Sequence, residues 1–486
     1  MKKAILLTAI IALLLATPSP ASPANLSGIE KLMEVSRDRA AMQALEEMVA
    51  KDPEHHKAWS LLAEIRLVFG DLDGAENAIT SALEAVEDKD ATYWEILGRV
   101  SFDRGILAYT QRRPSNDIKS WFADAEMKFS RVLKMAPNDE DIRCWMGWAK
   151  EWQEYPAEAR KYYDEQIKKF PKVSTGYLRL GNMLSTEANG TEGGQSEAAA
   201  EIRAKAMELF DTGLEKGGPH AEIYYSRGLA LEWMRQRDKA IASYESAVKA
   251  DPDFDKAWRR MYDLKVGGDK IIPLATQLKK SPTAAMWGAF FLLAADRDEE
   301  ALNLVLPPLE TYREHAGAYD QAFRAAMNLL GANPDLALAT FAKLHEINEF
   351  SGSAANNLGL YYRDKGRYKE SLAWYLKAME REPENQDILN DTAVIYLFYT
   401  PGSEKKSLPL LKKVFSLVDD DGQLPSTGYW DALENLCKYY WEVDRMPELV
   451  VKYAKMRYEE TDGVRPYNMS GTAAHYGKLA EKALNK

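Results

Sequence analysis

At 486 residues the chain is too long for one ordinary globular core, which leaves several domains or a repeat stack. Hydrophobic residues at 46% and charged residues at 28% are a globular balance and exclude wholesale disorder. The net charge of −11 repels phosphate backbones, so nucleic acid is not an expected partner.

In chain order, residues 1–24 read as an export signal. Lys2 and Lys3 precede an apolar run from Ala4 to Ala16 broken only by Thr8, and Ser22-Pro23-Ala24 follows. That run falls short of the roughly 20 residues that cross a bilayer. Cleavage after Ala24 is the first choice and after Ala21 the second. The released chain is expected to be exported, periplasmic or secreted, and not membrane-spanning.

Residues 25–254 then repeat one set of spacings. A small residue is followed 12 positions later by a second, as Ala63 by Ala75, Gly147 by Ala159 and Gly228 by Ala240. Another 12 bring a proline: Ala41 to Pro53, Ala125 to Pro137, Ala159 to Pro171, Ala240 to Pro252. Six further on stands a bulky residue, at Trp59, Tyr177 and Trp258. Tyr244 occupies an aromatic slot four residues after Ala240, and Ala247 a small one. Small residues suit close helix crossings, aromatic residues fill the layer between pairs, and the proline ends the second helix. Two insertions break the rhythm, near 106–120 and near 185–200. In the first, an apolar stretch over 106–113 and Pro114 read as one lengthened helix pair. In the second, Asn189-Gly190-Thr191-Glu192-Gly193-Gly194 has the composition of a mobile loop.

Between 255 and 350 the pattern decays. Gly267-Gly268 and Pro307-Pro308 interrupt it, while 322–330 and 336–344 stay amphipathic. It returns over 351–463 as Leu358, Gly359, Tyr362, Ser371, Tyr375, Ala378 and Pro383, with Leu389 six further on. Thr400-Pro401-Gly402 carries two extra residues, and Cys437 and Leu449 hold the two small-residue slots of the last pair. Residues 464–486 read as a capping helix striped by Tyr476, Leu479 and Leu484.

These residues resemble the tetratricopeptide repeat family, whose pattern is Trp, Leu-Gly, Tyr, Ala, Phe, Pro at these intervals. The resemblance implies an all-α fold: a right-handed superhelical solenoid of antiparallel helix pairs with a C-terminal capping helix. It also implies that the first helix of each pair lines a concave face that receives peptides or partner helices. Cys144 and Cys437 are expected to be free thiols, since distant repeats of such a stack do not meet.

No phosphate loop, hydrolase elbow, zinc helix or Cys-x-x-Cys is present, so no catalytic residue, cofactor or metal is assigned. His55 and His56 are adjacent and therefore diverge on a helix, and the acidic run 419–421 reads as solvated loop. Trp145, Trp148 and Trp152 lie on one helical face, and Tyr225, Leu229 and Trp233 fall on comparable turns two repeats later. One reading makes Trp148, Trp152, Asn182, Tyr225, Leu229 and Trp233 a partner-binding groove, with aromatic side chains as rigid contact area. The other makes the tryptophans inter-repeat core, displaced because Arg143 stands in the usual aromatic slot. Arg99, Arg143, Arg179, Asn182 and Asn357 do not form the regular series of the family's carboxylate-gripping clamp, and that specificity is not carried over. The chain thus reads as a non-enzymatic scaffold with a protein or peptide partner, the alternative being an envelope factor that binds glycans on its aromatic groove.

Overall fold

The structure, a computed structural model, describes residues 25–86, 89–194, 196–417, 427–459 and 472–485. The export segment and the acidic run at 419–421 lie outside them. Twenty-five α-helices are present among the described residues, with no strand. The chain divides after Ala318 into two units, each an all-α stack of antiparallel helix pairs.

The first unit holds α1 (Leu26–Glu34) with α2 (Asp38–Lys51), α3 (His56–Val68) with α4 (Leu72–Ala85), and the long pair α5 (Ala91–Thr110) and α6 (Ser115–Met135). Then come α7 (Ile142–Trp152) with α8 (Pro156–Lys169), α9 (Ser174–Gly190) with α10 (Glu197–Gly217), and α11 (Ala221–Trp233) with α12 (Arg237–Ala250). The unit continues through α13 (Asp255–Asp263), α14 (Gly268–Gln277), α15 (Pro282–Leu293) and α16 (Asp298–Leu309) to the start of α17 (Ala316–Ala332). Pro307 and Pro308 do not interrupt α16 but lie in its last turn. The turn joining the helices of a pair passes repeatedly through a left-handed residue, such as Gly70 at φ 73°, Glu154 at 66° and Arg235 at 57°.

Two side-chain devices explain the spacings. The first small slot is filled by the ring of the partner helix: a Cβ at Gly98 or Gly147 would lie 2.5 Å from Phe129 or Tyr163 respectively. Phe210 fills the same place against Gly181, and Tyr244 against Gly228. Glycine is thus required by an aromatic ring rather than by contact between helix backbones. In four repeats the residue six after the proline carries a donor to that proline's carbonyl, whereas Leu389, six after Pro383, only packs in the core. Trp59 Nε1 reaches Pro53 O at 2.8 Å, Tyr177 Oη reaches Pro171 O at 3.1 Å and Trp258 Nε1 reaches Pro252 O at 3.0 Å. Arg143 does the same with Nη2 to Pro137 O at 3.1 Å, which is why a cation serves in an aromatic slot. Each donor satisfies a carbonyl that the broken helix leaves unpaired.

The unit also curls back on itself. The Glu314 carboxylate, in the turn after α16, accepts from the backbone of Arg39 at 2.8 Å and Ala40 at 3.2 Å. These groups are 275 positions apart, beyond what nearest-neighbour stacking anticipates.

The second unit, from Tyr319, holds most of α17, then α18 (Pro334–Ile347), α19 (Ser353–Asp364) with α20 (Tyr368–Arg381), and α21 (Gln386–Val394). A π turn at Ile395–Tyr399 precedes α22 (Ser407–Ser416), α23 (Thr427–Glu442), α24 (Pro447–Glu459) and α25 (Thr472–Leu484). α25 packs on both α23 and α24. Its fully buried stripe is Ala473, Gly477 and Ala480, with the expected Tyr476 packed half-buried against the same core. A Cβ at Gly477 would sit 2.9 Å from Ala454, so small residues let α25 lie close, while Leu484 stays exposed. Cys144 and Cys437 are both free and buried, and burial pushes each thiol up to about 12.

Candidate functional site

In the first unit α9 is packed between α7 and α11. Their exposed faces enclose a cavity of about 430 Å³ lined by Trp148 from α7, Arg179, Asn182, Ser185 and Asn189 from α9, and Tyr225, Leu229 and Trp233 from α11. Phe254, before α13, closes one side. Five of the six sequence-selected residues therefore meet at one place. The exception is Trp152, which stacks on Phe122 with ring centroids 5.1 Å apart and meets Tyr109 edge-on at 5.0 Å. It is absorbed by the lengthened α5–α6 pair, which the helical spacing of the three tryptophans did not anticipate.

Core and groove turn out to be two sides of one residue. The Trp148 ring packs against Phe102 at 4.5 Å, and the Arg179 guanidinium lies over it at 3.7 Å. Trp145 belongs to the core, against Phe102 at 5.4 Å and Phe129 at 5.7 Å. Tyr225 is held between Tyr244 at 5.6 Å and Phe254, edge-on, at 5.5 Å. Burial raises its hydroxyl, which keeps it neutral and a donor.

Charge is sparse on the wall. Arg179 forms no ion pair among the described residues, and the half-buried Glu151 carboxylate, which feels its charge, accepts the Tyr163 hydroxyl. Burial raises the Glu151 carboxyl, and the Tyr163 bond and Arg179 offset part of that. Glu222 and Lys256 stand exposed along the rim. Ser185 Oγ is enclosed and has no hydrogen-bond partner.

The 185–200 insertion is not a loose loop. α9 runs on to Gly190, a 3₁₀ turn spans Thr191–Gly194, and Arg203 of α10 pins the turn. Arg203 is 4% exposed and donates through Nη2 to Asn189 Oδ1 at 2.9 Å and to Gly194 O at 3.2 Å. Its guanidinium lies 5.8 Å from the Trp233 ring, itself 43% exposed. Composition hid this arrangement. The readable signal was an arginine in the apolar stripe Ala199, Arg203, Ala206, Phe210, a place that demands a polar partner.

The other sequence candidates are dispersed. Asn357 bonds within its own helix to Ser353 O at 3.0 Å, and Arg143 is used at Pro137. His56 meets the Tyr93 hydroxyl at 2.7 Å, while His55 accepts from Ala58 N at 3.4 Å. Among the described residues no group of three His, Cys, Asp or Glu side chains is placed to hold a metal, and no helix is long and apolar enough to cross a membrane.

A family model described as tetratricopeptide repeat matches residues 37–100, and another of the same description matches 221–254 and 352–385. The mitochondrial import receptor subunit TOM70 of Rattus norvegicus is 27% identical over 109 residues, 22% of this chain. The match spans 16% of the length of that relative. Among solved structures, yeast Tom70 aligns over 94% of this chain and 95% of its own at 14% identity and a TM-score of 0.32. YrrB, described as a tetratricopeptide protein with an unusual peptide-binding site, aligns over 46% of this chain and 99% of its own at 18% identity and a TM-score of 0.26.

Proposed function

Because the chain is built of tetratricopeptide repeats, we propose that it is an exported, non-enzymatic scaffold that holds an extended segment of another protein in the groove of α7, α9 and α11. The observation that carries this reading is the convergence of Trp148, Asn182, Tyr225, Leu229 and Trp233 on one open cavity. From Leu178 to Asn189 the wall on α9 is roughly 16 Å long at about 1.5 Å per residue. That is room for about five residues of extended peptide at roughly 3.3 Å each. Half-buried rings offer area for apolar side chains, and the amides and hydroxyls of α9 suit the bonding of a peptide backbone. Arg179, stacked on Trp148 and without an ion pair among the described residues, favours a segment with an acidic side chain beside a bulky apolar one. Helices fixed in advance lose little freedom when the segment docks.

The test uses residues 25–486 and an array of fluorescein-labelled six- to eight-residue peptides that vary acidic and aromatic positions. Binding should be found, and Trp148→Ala should weaken it about tenfold or more. No binding at millimolar protein, or a tryptophan response to polysaccharide fragments in place of peptides, would overturn the peptide reading. Export is checked separately: the native protein should begin at Asn25, and an uncleaved cytoplasmic chain would refute it.

A further inference from the structure

We infer that Arg203 is a positioning residue for the Asn189–Trp233 end of this groove, and that through Asn189 it makes that end select a hydrogen-bond acceptor on the ligand. The inference rests on the groove being the binding site. An arginine that is almost wholly enclosed and meets no carboxylate among the described residues is costly to bury. The hydrogen bonds and ring contact it makes all lead to the same place: Asn189 Oδ1 at 2.9 Å, Gly194 O at 3.2 Å and the Trp233 ring at 5.8 Å. Asn189 and Trp233 both line the cavity. Gly194 stands at φ 76°, and a Cβ there would lie 3.3 Å from Trp233, so the turn is pressed against the indole. The 3₁₀ turn thus backs the Trp233 ring and fixes Asn189 at the end of the α9 wall.

The chemistry of the amide follows from its partner. A guanidinium only donates, so it must face the carbonyl oxygen of Asn189. The Nδ2 group, which forms no hydrogen bond among the described residues, is left for the cavity. Two N–H donors beside an indole face take a carbonyl or carboxylate oxygen attached to an apolar group. For the bound peptide this is a main-chain carbonyl next to a bulky side chain.

The discriminating variant is Asn189→Asp. It keeps an acceptor for Arg203 and gives it a carboxylate, so the thermal midpoint and the resistance of the 189–197 segment to glutamyl endopeptidase should be no lower than in the parent. It also replaces donors by an oxygen, and affinity for the tightest peptide of the array should fall about tenfold. Arg203→Met should expose the segment to the protease and weaken the same peptide, with Arg203→Lys intermediate. Unchanged affinity in Asn189→Asp would overturn the acceptor selection. Unchanged protease resistance in Arg203→Met would overturn the positioning role. A parent chain that binds no peptide removes the groove reading instead, and the protease arm still decides what Arg203 does.

Discussion

Gly359→Ala is the sharpest test of how the repeats pack. A Cβ on Gly359 would meet three ring atoms of Tyr375 at 2.7, 2.8 and 2.9 Å. Carbon atoms settle at about 3.5–4.0 Å, so the ring must retreat by about 1 Å. Tyr375 is 0% exposed and has no open side to move into. Such overpacking costs about 1–3 kcal/mol, offset by about 1 kcal/mol for alanine in place of glycine in a helix. Gly331, in the same unit, has nothing within 4 Å of its added Cβ, so Gly331→Ala isolates the helix preference. The two variants should differ by about 1–3 kcal/mol, Gly359→Ala lower. Urea unfolding, with hydrogen exchange at the amides of α19 and α20, measures this locally. Adding Tyr375→Leu to Gly359→Ala should recover part of the difference as coupling. If both glycine variants raise stability equally, the ring does not fill the small slot and the account of the spacing is wrong.

Tyr163→Phe removes the hydroxyl that donates to the buried Glu151 and should cost about 1–3 kcal/mol. Tyr375→Phe, whose hydroxyl is buried without a partner, should be near neutral, and the reverse order in urea midpoints would contradict the structure. His345 is held down to about 3 by burial and by Arg381 and Lys377, so between about 6.5 and 3 the folded state binds fewer protons than the unfolded one. The His345 contribution is then full above pH 6.5 and should fall by about 1–2 kcal/mol by pH 5, so His345→Gln should flatten the slope, leaving the smaller part that the buried His315 supplies in the same direction. Glu314→Ala removes the acceptor for Arg39 and Ala40, costing about 1 kcal/mol at the start of α2. Faster exchange at those two amides is the readout, and unchanged rates would show that the closure does not stabilise the helix.

The recurring intervals of small residue, ring and proline were legible because each is fixed by local geometry: a helix turn, a partner ring within the same pair, a proline that stops the helix. The same intervals brought Trp148, Asn182, Tyr225, Leu229 and Trp233 to one groove, since equivalent positions of neighbouring pairs share a face. Trp152 was misplaced because the α5–α6 pair is longer than its neighbours and reaches over it. The capping helix was foreseen, but of its expected stripe only Tyr476 packs on the core and the fully buried positions are small residues. Large apolar residues dominate a sequence pattern, yet close approach to Ala454 selects Gly477.

What the sequence determined alone is the repeating unit, because each helix pair writes its own packing rules into a few residues at fixed distances. Tertiary structure alone decided that Arg203 fixes a glycine-rich insertion beside Trp233 and that Glu314 reaches Arg39. The first depends on side-chain bonds inside one helix pair and on the Trp233 ring of the next, the second on the stacking of many pairs, and no repeated interval along the chain records either.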